Sequence, residues 1–440
     1  MKKSKFISGS IMRHVVIMAA SSSIGLMAIF LVDLVDMYFL SLYGNIELAS
    51  AVGYAGTILF FTTSVCIGLS IGTGALVSRS VGAKKFDKAK RYLINIYFIT
   101  FIITSCIALA IWPNIMWLLS LIGASGQTIE YAKDYLEILI PSIPIMGLSM
   151  TSMAALRAVG DAKRSMYSTL ISAIVNGLLD PLLIFGLGLG IKGAAIASLI
   201  ARFSMLSYAV YTIFKHHHLF VKFDLKNVRP YLKDFFNIAI PAILTNIATP
   251  IGAGYVTKVM ATFGDSAVAG LSVVSRLTPV AFGMIFALSG AVGPIIGQNL
   301  GAKKFSRVRQ TVFDSLKFLT LYVTCVSIIL LYIPDWLTAV FHMDEEAGEI
   351  IKTFCYFVSI TFIFTGATFV SNASFNNLGY AKYSTLMNFS KATIGTIPFV
   401  YFGAQWYGAP GVILGQAAGS IIIGIISIIW VLRVINKVGA

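Results

Sequence analysis

Two stretches, SVGAKKFDKAKR at Ser80–Arg91 and NLGAKKFSRVRQ at Asn299–Gln310, share the pentapeptide GAKKF at an offset of 219 in a chain of 440 residues. The register continues on both sides. LYGNIELASA from Leu42 faces TFGDSAVAGL from Thr262, and LRAVGDAKRS from Leu156 faces FNNLGYAKYS from Phe375. Gly193 in GIKGAAIAS faces Gly411 in YGAPGVILG, with Pro181 opposite Pro398. Ordered matches at offsets of 217 to 220 mark a second half that repeats the first.

What repeats is a set of membrane spans. The chain is 57% hydrophobic and 12% charged, whereas a soluble domain carries roughly 25% charged residues. Apolar runs of about 20 residues, long enough to cross a ~30 Å hydrocarbon core as helices, recur throughout. Twelve are expected, near 13–41, 50–78, 92–120, 131–156, 166–186, 192–214, 236–262, 268–297, 313–340, 350–374, 384–402 and 409–434. The N-terminal run lacks a small-residue cleavage site and reads as a retained first helix. Six spans per half give the halves the same orientation. The expected fold is therefore an all-α integral membrane protein with two parallel six-helix repeats around a central cavity, since such repeats place the substrate path where the halves meet. The expected division is 1–214 for the N-lobe, 215–233 for a basic cytoplasmic linker and 234–440 for the C-lobe.

The net charge of +15 would suggest nucleic acid in a soluble protein, but here the charges are sorted by loop. Of 33 Lys and Arg, 25 fall in the termini and alternate loops; the intervening loops hold Lys133, Lys192 and Lys352. By the positive-inside rule both termini are expected in the cytoplasm, with the chain in the cell inner membrane and its basic loops facing anionic lipid. No nucleic-acid partner and no cofactor is expected, and the chain is expected to act as a monomer. Cys66, Cys106, Cys325 and Cys355 form no CxxC and read as core residues. His216–His218 reads as part of the solvated linker.

Against a repeat, residues that break it are informative. Asp33 and Asp36 in FLVDLVDMYFL (Phe30–Leu40), and Asp180, have apolar or neutral counterparts in the second half; Ile397 stands opposite Asp180. A carboxylate at mid-helix costs ~2.5–3.5 kcal/mol on insertion scales, so such residues face a bundle interior or a wet cavity and are functional by default. Asn176 and Asp180, at i and i+4, share a helix face, as Asp33 and Asp36 can at i and i+3. Pro181 denies a hydrogen bond to the Gly177 carbonyl and predicts a kink beside the pair. A span-1 carboxylate with the Asn176 amide oxygen and Asp180 makes a cluster of hard oxygens suited to H⁺ or Na⁺. The alternative is that the aspartates pair with Arg202, Lys258, Arg276, Lys317 or Lys391 as interhelical ties.

These residues lie in stretches that resemble the multidrug and toxic compound extrusion (MATE) transporters, nearer the DinF-type than the NorM-type branch. The carriers are VDMYFLSLYGNIELASAVG at Val35, GALVSRSVGAKKFDKAKR at Gly74, LRAVGDAK at Leu156 and NGLLDPLLIFGLGLGIKGAAIAS at Asn176. The resemblance implies that Asp36, Asn176, Asp180 and, by its place on span 6, Ser198 line a cation site holding H⁺ or Na⁺; Asp33 is a neighbour outside the motif. It also implies export of amphipathic, often cationic, organic compounds in exchange for H⁺ or Na⁺. The NorM-type acids of spans 7 and 10 are absent, Thr249 standing near the first position, and the AASSSIG stretch of span 1 lacks the proline of many relatives.

Two other functions are compatible with a repeated bundle of spans. A lipid-linked precursor flippase usually needs many cavity cations, and the spans contain Arg202, Lys258, Arg276, Lys317 and Lys391. A Mg²⁺-dependent enzyme would need paired Asp-rich clusters, and one DxxD is present. With no G-x-x-x-x-G-K-[ST] loop for ATP either, the chain is expected not to be an enzyme.

Overall fold

The structure, a computed structural model, describes residues 4–42, 46–221, 229–341 and 343–439. Within helices, the side chains of residues 33, 34, 37, 38, 40–42, 46, 47, 49 and 229 lie outside that description. Among the described residues eleven helical stretches are long and apolar enough to cross a membrane. The last, Ala381–Gly439, has 59 residues, so as one straight helix it would run nearly 90 Å, about three times the hydrocarbon core. It doubles back at Gly408, where φ is 63° and ψ −144°. Twelve crossings result.

The chain forms two compact units. The first consists of Met1–Lys5 and Ile24–Ile243, the second of Phe6–Ser23 and Leu244–Ala440. Unit 1 holds most of α1 (Ile11–Leu42), then α2 (Ile46–Gly82), α3 (Phe86–Ile111), α4 (Ile115–Leu121), α5 (Gly126–Leu139), α6 (Ile143–Ala158), α7 (Ala162–Pro181), α8 (Gly190–Thr212) and the start of α9 (Arg229–Met260). Prolines set its breaks: Pro113 follows α3, and Pro141 lies in the 3₁₀ turn between α5 and α6, because a proline lacks the N–H that would continue the ladder. Its core contains Ala51, Ile58, Leu136, Leu139, Ile140, Ile184 and Ile191.

Unit 2 holds the start of α1, the rest of α9, α10 (Asp265–Gly301), α11 (Phe305–Tyr332), α12 (Pro334–Val340), α13 (Glu345–Thr353), α14 (Phe362–Leu378), α15 (Ala381–Ala392) and α16 (Ile397–Gly439). The units thus divide within α1 and α9, not at the 215–233 loop. Phe6–Ser23 stay with unit 2 through polar contacts: the Phe6 N–H donates to Gln298 Oε1 at 3.0 Å, and Asn299 and Arg307 donate to the Phe6 carbonyl. Conversely, Gly68 and Gly72 in unit 1 form notches that admit Ile243 and Phe235 of α9, where a Cβ would collide. The loop itself is shorter than expected, with a π turn extending α8 to His217 and α9 beginning at Arg229; residues 222–228 lie outside the description.

The repeat is visible in the backbone. Lys84 and Lys303 of the two GAKKF turns have φ of 59° and 57°, and Gly160 and Gly379 have 88° and 92°. In each GAKKF turn a six-residue closure caps the preceding helix, Lys85 N–H to the Ser80 carbonyl and Lys304 N–H to the Asn299 carbonyl. Two of the four cysteines depart from expectation: Cys66 and Cys355 are buried, but Cys106 and Cys325 are exposed. Lipid is as apolar as a protein core, so an apolar residue in a span can face either.

Candidate cation site in the first unit

The approach of α1 to α7 is set three turns before the carboxylate. Gly25 lies against Thr169, and an added Cβ would strike the threonine hydroxyl and come within 3.7 Å of Met166 Cα. Both chains rise from that contact in the same direction, and Asp36 on α1 reaches Asn176 on α7. α1 runs as one helix from Ile11 to Leu42, and Gly25 is where it packs closely.

Asn176 Nδ2 donates to Asp36 Oδ1 at 3.0 Å and to Asp180 Oδ2 at 2.7 Å. One amide therefore ties two carboxylates from different helices. This differs from the expected arrangement, in which the amide oxygen sits beside a carboxylate. Donors turn toward acceptors, and a carboxylate offers acceptors only. Asp180 is fully buried and Asn176 is 3% exposed, while Asp36 is partly buried.

Asp180 Oδ1 is buried and has no hydrogen-bond partner among the described residues, and its carboxylate makes no ion pair there. A buried polar atom left unpaired costs about 1–3 kcal/mol, and more when charged. The interhelical-tie alternative thus finds no cation at Asp180. Arg202 is engaged elsewhere, donating to Ser142 Oγ at 2.6 Å, and Lys391 donates to Thr365 Oγ1 at 3.4 Å.

Below the pair the helix changes pitch. Pro181 is followed by a π turn, Leu182–Gly186, closed by the Leu187 N–H to the Leu182 carbonyl at 2.9 Å. Insertions of this kind recur at functional sites. Gly193 then lets α8 pack on the Leu183 carbonyl, 2.7 Å from where a Cβ would stand.

Of the residues expected at this site, the structure unites Asp36, Asn176 and Asp180. Ser198 lies partly buried on α8 and is not hydrogen-bonded to the bridge. The Asp33 side chain falls outside the described residues. The cluster suits a proton, which would give Asp180 Oδ1 the donor it lacks. It also suits a small hard cation, provided the Asn176 amide turns over to present its oxygen with the carboxylates. Sequence missed a second polar knot, at the ends of two spans: Asp161, outside them at the N-cap of α7, accepts from Arg164 N at 3.2 Å, Arg164 Nη1 at 2.6 Å and His217 Nε2 at 2.8 Å. The available signal was a GD pair before a helical run; the His217 partner is remote in sequence.

A family model described as MatE matches residues 22–182 and again 241–402. The chain is 28% identical over 425 residues to a protein of Shewanella oneidensis named FAD transporter, covering 95% of this chain and 94% of that one. It is 26% identical over 416 residues to the multidrug export protein MepA of Staphylococcus haemolyticus, covering 93% and 90%. Among solved structures, an outward-facing multidrug resistance MATE family transporter of the MOP superfamily superposes with a TM-score of 0.93 at 21% identity, over 100% of this chain and 99% of that one. A Vibrio cholerae MATE transporter, VcmN, gives 0.93 at 24% identity over 97% of each.

Proposed function

Because this chain belongs to the MatE family, we propose that it exports amphipathic, cationic organic compounds in exchange for H⁺ or Na⁺ by alternating access. It is a transporter and not an enzyme. In this reading the six-span repeats, 1–214 and 234–440, act as the two lobes, joined by 215–233, in the cell inner membrane with both termini cytoplasmic.

The observation that carries the reading is the Asp36–Asn176–Asp180 bridge with its partnerless Asp180 oxygen. A proton or Na⁺ on this cluster cancels charge that is costly in a span. The cation then favours whichever arrangement of the lobes binds it better, and it moves the equilibrium only by that difference in affinity. Asp36 and Asp180 hold the cation, and Asn176 fixes their separation; Ser198 and Asp33 are assigned as outer neighbours.

Efflux from proteoliposomes under separately imposed proton and sodium gradients tests this. An ethidium-like dye is the first cargo. FAD is the second, because a full-length relative carries the name FAD transporter. Dye movement driven by one gradient supports the reading and identifies the ion; gradient-driven movement of FAD, which its pyrophosphate makes an anion, would keep the cation coupling and overturn the cationic cargo. Lipid flipping with no dependence on dye, FAD or either cation would replace it with the flippase.

A further inference from the structure

The first turns of α3 and α9 border an open-mouthed cavity of about 220 Å³ lined by Lys88, Arg91, Tyr92, Pro230, Tyr231 and Asp234. All six residues belong to unit 1. Tyr92 forms the floor at 3% exposure; its hydroxyl donates to Asp234 Oδ2 at 2.6 Å, and Tyr231 stands edge-on to it with ring centres 4.9 Å apart. Lys88 Nζ sits 5.4 Å from the Tyr92 ring centre.

The charges in this cavity are unbalanced. Its carboxylate accepts from the Tyr92 hydroxyl and also faces the partly buried Arg79 behind it, whereas Lys88 and Arg91 make no ion pair among the described residues; the adjacent pair, Lys90 with Asp87 at 3.6 Å, uses other groups. A cationic ligand would meet Lys88 already on the Tyr92 face. An anion would meet two cations at the rim and apolar walls from Pro230 and the tyrosines. The Arg91 guanidinium presents a planar fork that matches two oxygens of a phosphate.

Depth selects the carrier. Lys88 and Arg91 lie in the first two turns of the span that starts at Phe86, and Tyr231 and Asp234 in those of the span that starts at Pro230, which is the level of lipid head groups. Basic pockets between spans at this level suit anionic head groups. Asp234 refines the choice: a carboxylate in the wall penalises a dianion more than a monoanion, and so favours a phosphodiester over free phosphate at neutral pH.

We propose that this cavity binds a phosphate group, presented as the phosphodiester of an anionic phospholipid head group. The test uses the full-length protein in detergent and reads its thermal midpoint while phosphatidylglycerol, phosphatidylcholine or inorganic phosphate is added. Phosphatidylglycerol should raise the midpoint saturably and the other two should not. Lys88→Gln with Arg91→Gln should raise the half-saturating lipid concentration about thirtyfold, from roughly fivefold per surface cation. Lys84→Gln with Lys85→Gln removes the same charge from the neighbouring turn and should leave it unchanged. Equal loss in the two double variants would reduce the effect to diffuse charge and overturn the site. A response to inorganic phosphate that disappears in the Lys88/Arg91 variant would keep the phosphate site and overturn its lipid carrier. Both side chains are exposed, so folding is not at risk; Arg91→Lys, which keeps charge but loses the fork, should weaken binding less than the double variant.

Discussion

The hairpin formed by α7 and α8 in unit 1 and the hairpin within α16 in unit 2 turn on equivalent glycines, Gly190 with φ 53° and Gly408 with φ 63°. Their arms differ. In α16 the arms close like a zipper: Cβ atoms added at Gly419, Gly415 and Gly411 would collide with the carbonyls of Gly395, Phe399 and Gly403 in turn, a small-residue ladder of the kind that lets helix backbones touch in membranes. In unit 1 one such contact remains, Gly193 on Leu183, and the arm before it is interrupted by Pro181 and a π turn. The side chains differ too, since Asp180 is fully buried while its counterpart Ile397 is 40% exposed. Backbone turns are the common inheritance of the two halves. The looser hairpin is the one that carries the buried charge.

The largest expected effect tests that last statement. Asp36→Asn or Asp180→Asn should reduce cation-driven efflux from proteoliposomes to the level of protein-free vesicles, with each variant eluting as folded protein on size exclusion. Asp180→Asn should leave the thermal midpoint unchanged or raise it, since it removes a buried charge that lacks one partner. Gradient-driven efflux retained in both variants would sever the link between the looser hairpin and coupling.

The zipper is tested next. Gly419→Val drives a branched side chain into the Gly395 carbonyl, where neither backbone can yield. Overpacking costs about 1–3 kcal/mol and occasionally more, and this position belongs at the upper end. Gly193→Val meets the Leu183 backbone at 2.7 Å, beside a π turn that can shift. Thermal midpoints in detergent should therefore fall further for Gly419→Val than for Gly193→Val. The reverse order would show that the unit 1 hairpin is the stiffer one.

Much of this comparison was legible in the sequence, for definite reasons. Run length alone gives the spans, because a helix must satisfy its own backbone in lipid. The GAKKF pair and the Gly193–Gly411 register give the repeat, and carboxylates without counterparts at Asp36 and Asp180 give the site. Contacts between helices were not legible. The sequence offers Asn176 as an oxygen ligand, but which end of an amide faces a carboxylate depends on the partner helix. Gly25 and Gly419 matter for what they touch, and nothing local names Thr169 or Gly395. The exposed Cys106 and Cys325 were missed because hydrophobicity does not separate lipid from core. The tie of Phe6 to Gln298 was not legible either, because its partners lie almost 300 residues apart.

A smaller effect separates the N-caps of α7 and α15. Asp161 caps α7, whereas its counterpart Tyr380 makes no side-chain cap. Burial pushes the Asp161 carboxyl upward, but hydrogen bonds from His217 and Arg164, with the Arg164 charge, outweigh it and hold the group well below the usual carboxylate range. A carboxyl depressed in the folded state contributes stability that is complete above its unfolded pKa of about 3.9 and is lost as pH falls through the folded value. Asp161→Ala should cost ~1–2 kcal/mol at neutral pH, and its deficit against wild type should shrink below about pH 4. Tyr380→Phe should show no such acid limb. A deficit for Asp161→Ala that stays constant down to pH 3 would mean that the cap, and not the charge, distinguishes the two helix starts.

The smallest effect concerns the turns that the two halves share most closely. Lys84 and Lys303 are exposed lysines at φ 59° and 57°, a left-handed conformation that costs an L-residue roughly 1–2 kcal/mol. Glycine relieves that strain but adds about 0.5–1 kcal/mol of unfolded-state entropy. Lys84→Gly and Lys303→Gly should therefore each stabilise the protein by about 0–1.5 kcal/mol, and by equal amounts in thermal unfolding. Because the two turns match in φ and in their six-residue closures, unequal shifts would have to come from surroundings that differ between the units. The equivalence of the halves would then end at the backbone even here, where no functional residue breaks it.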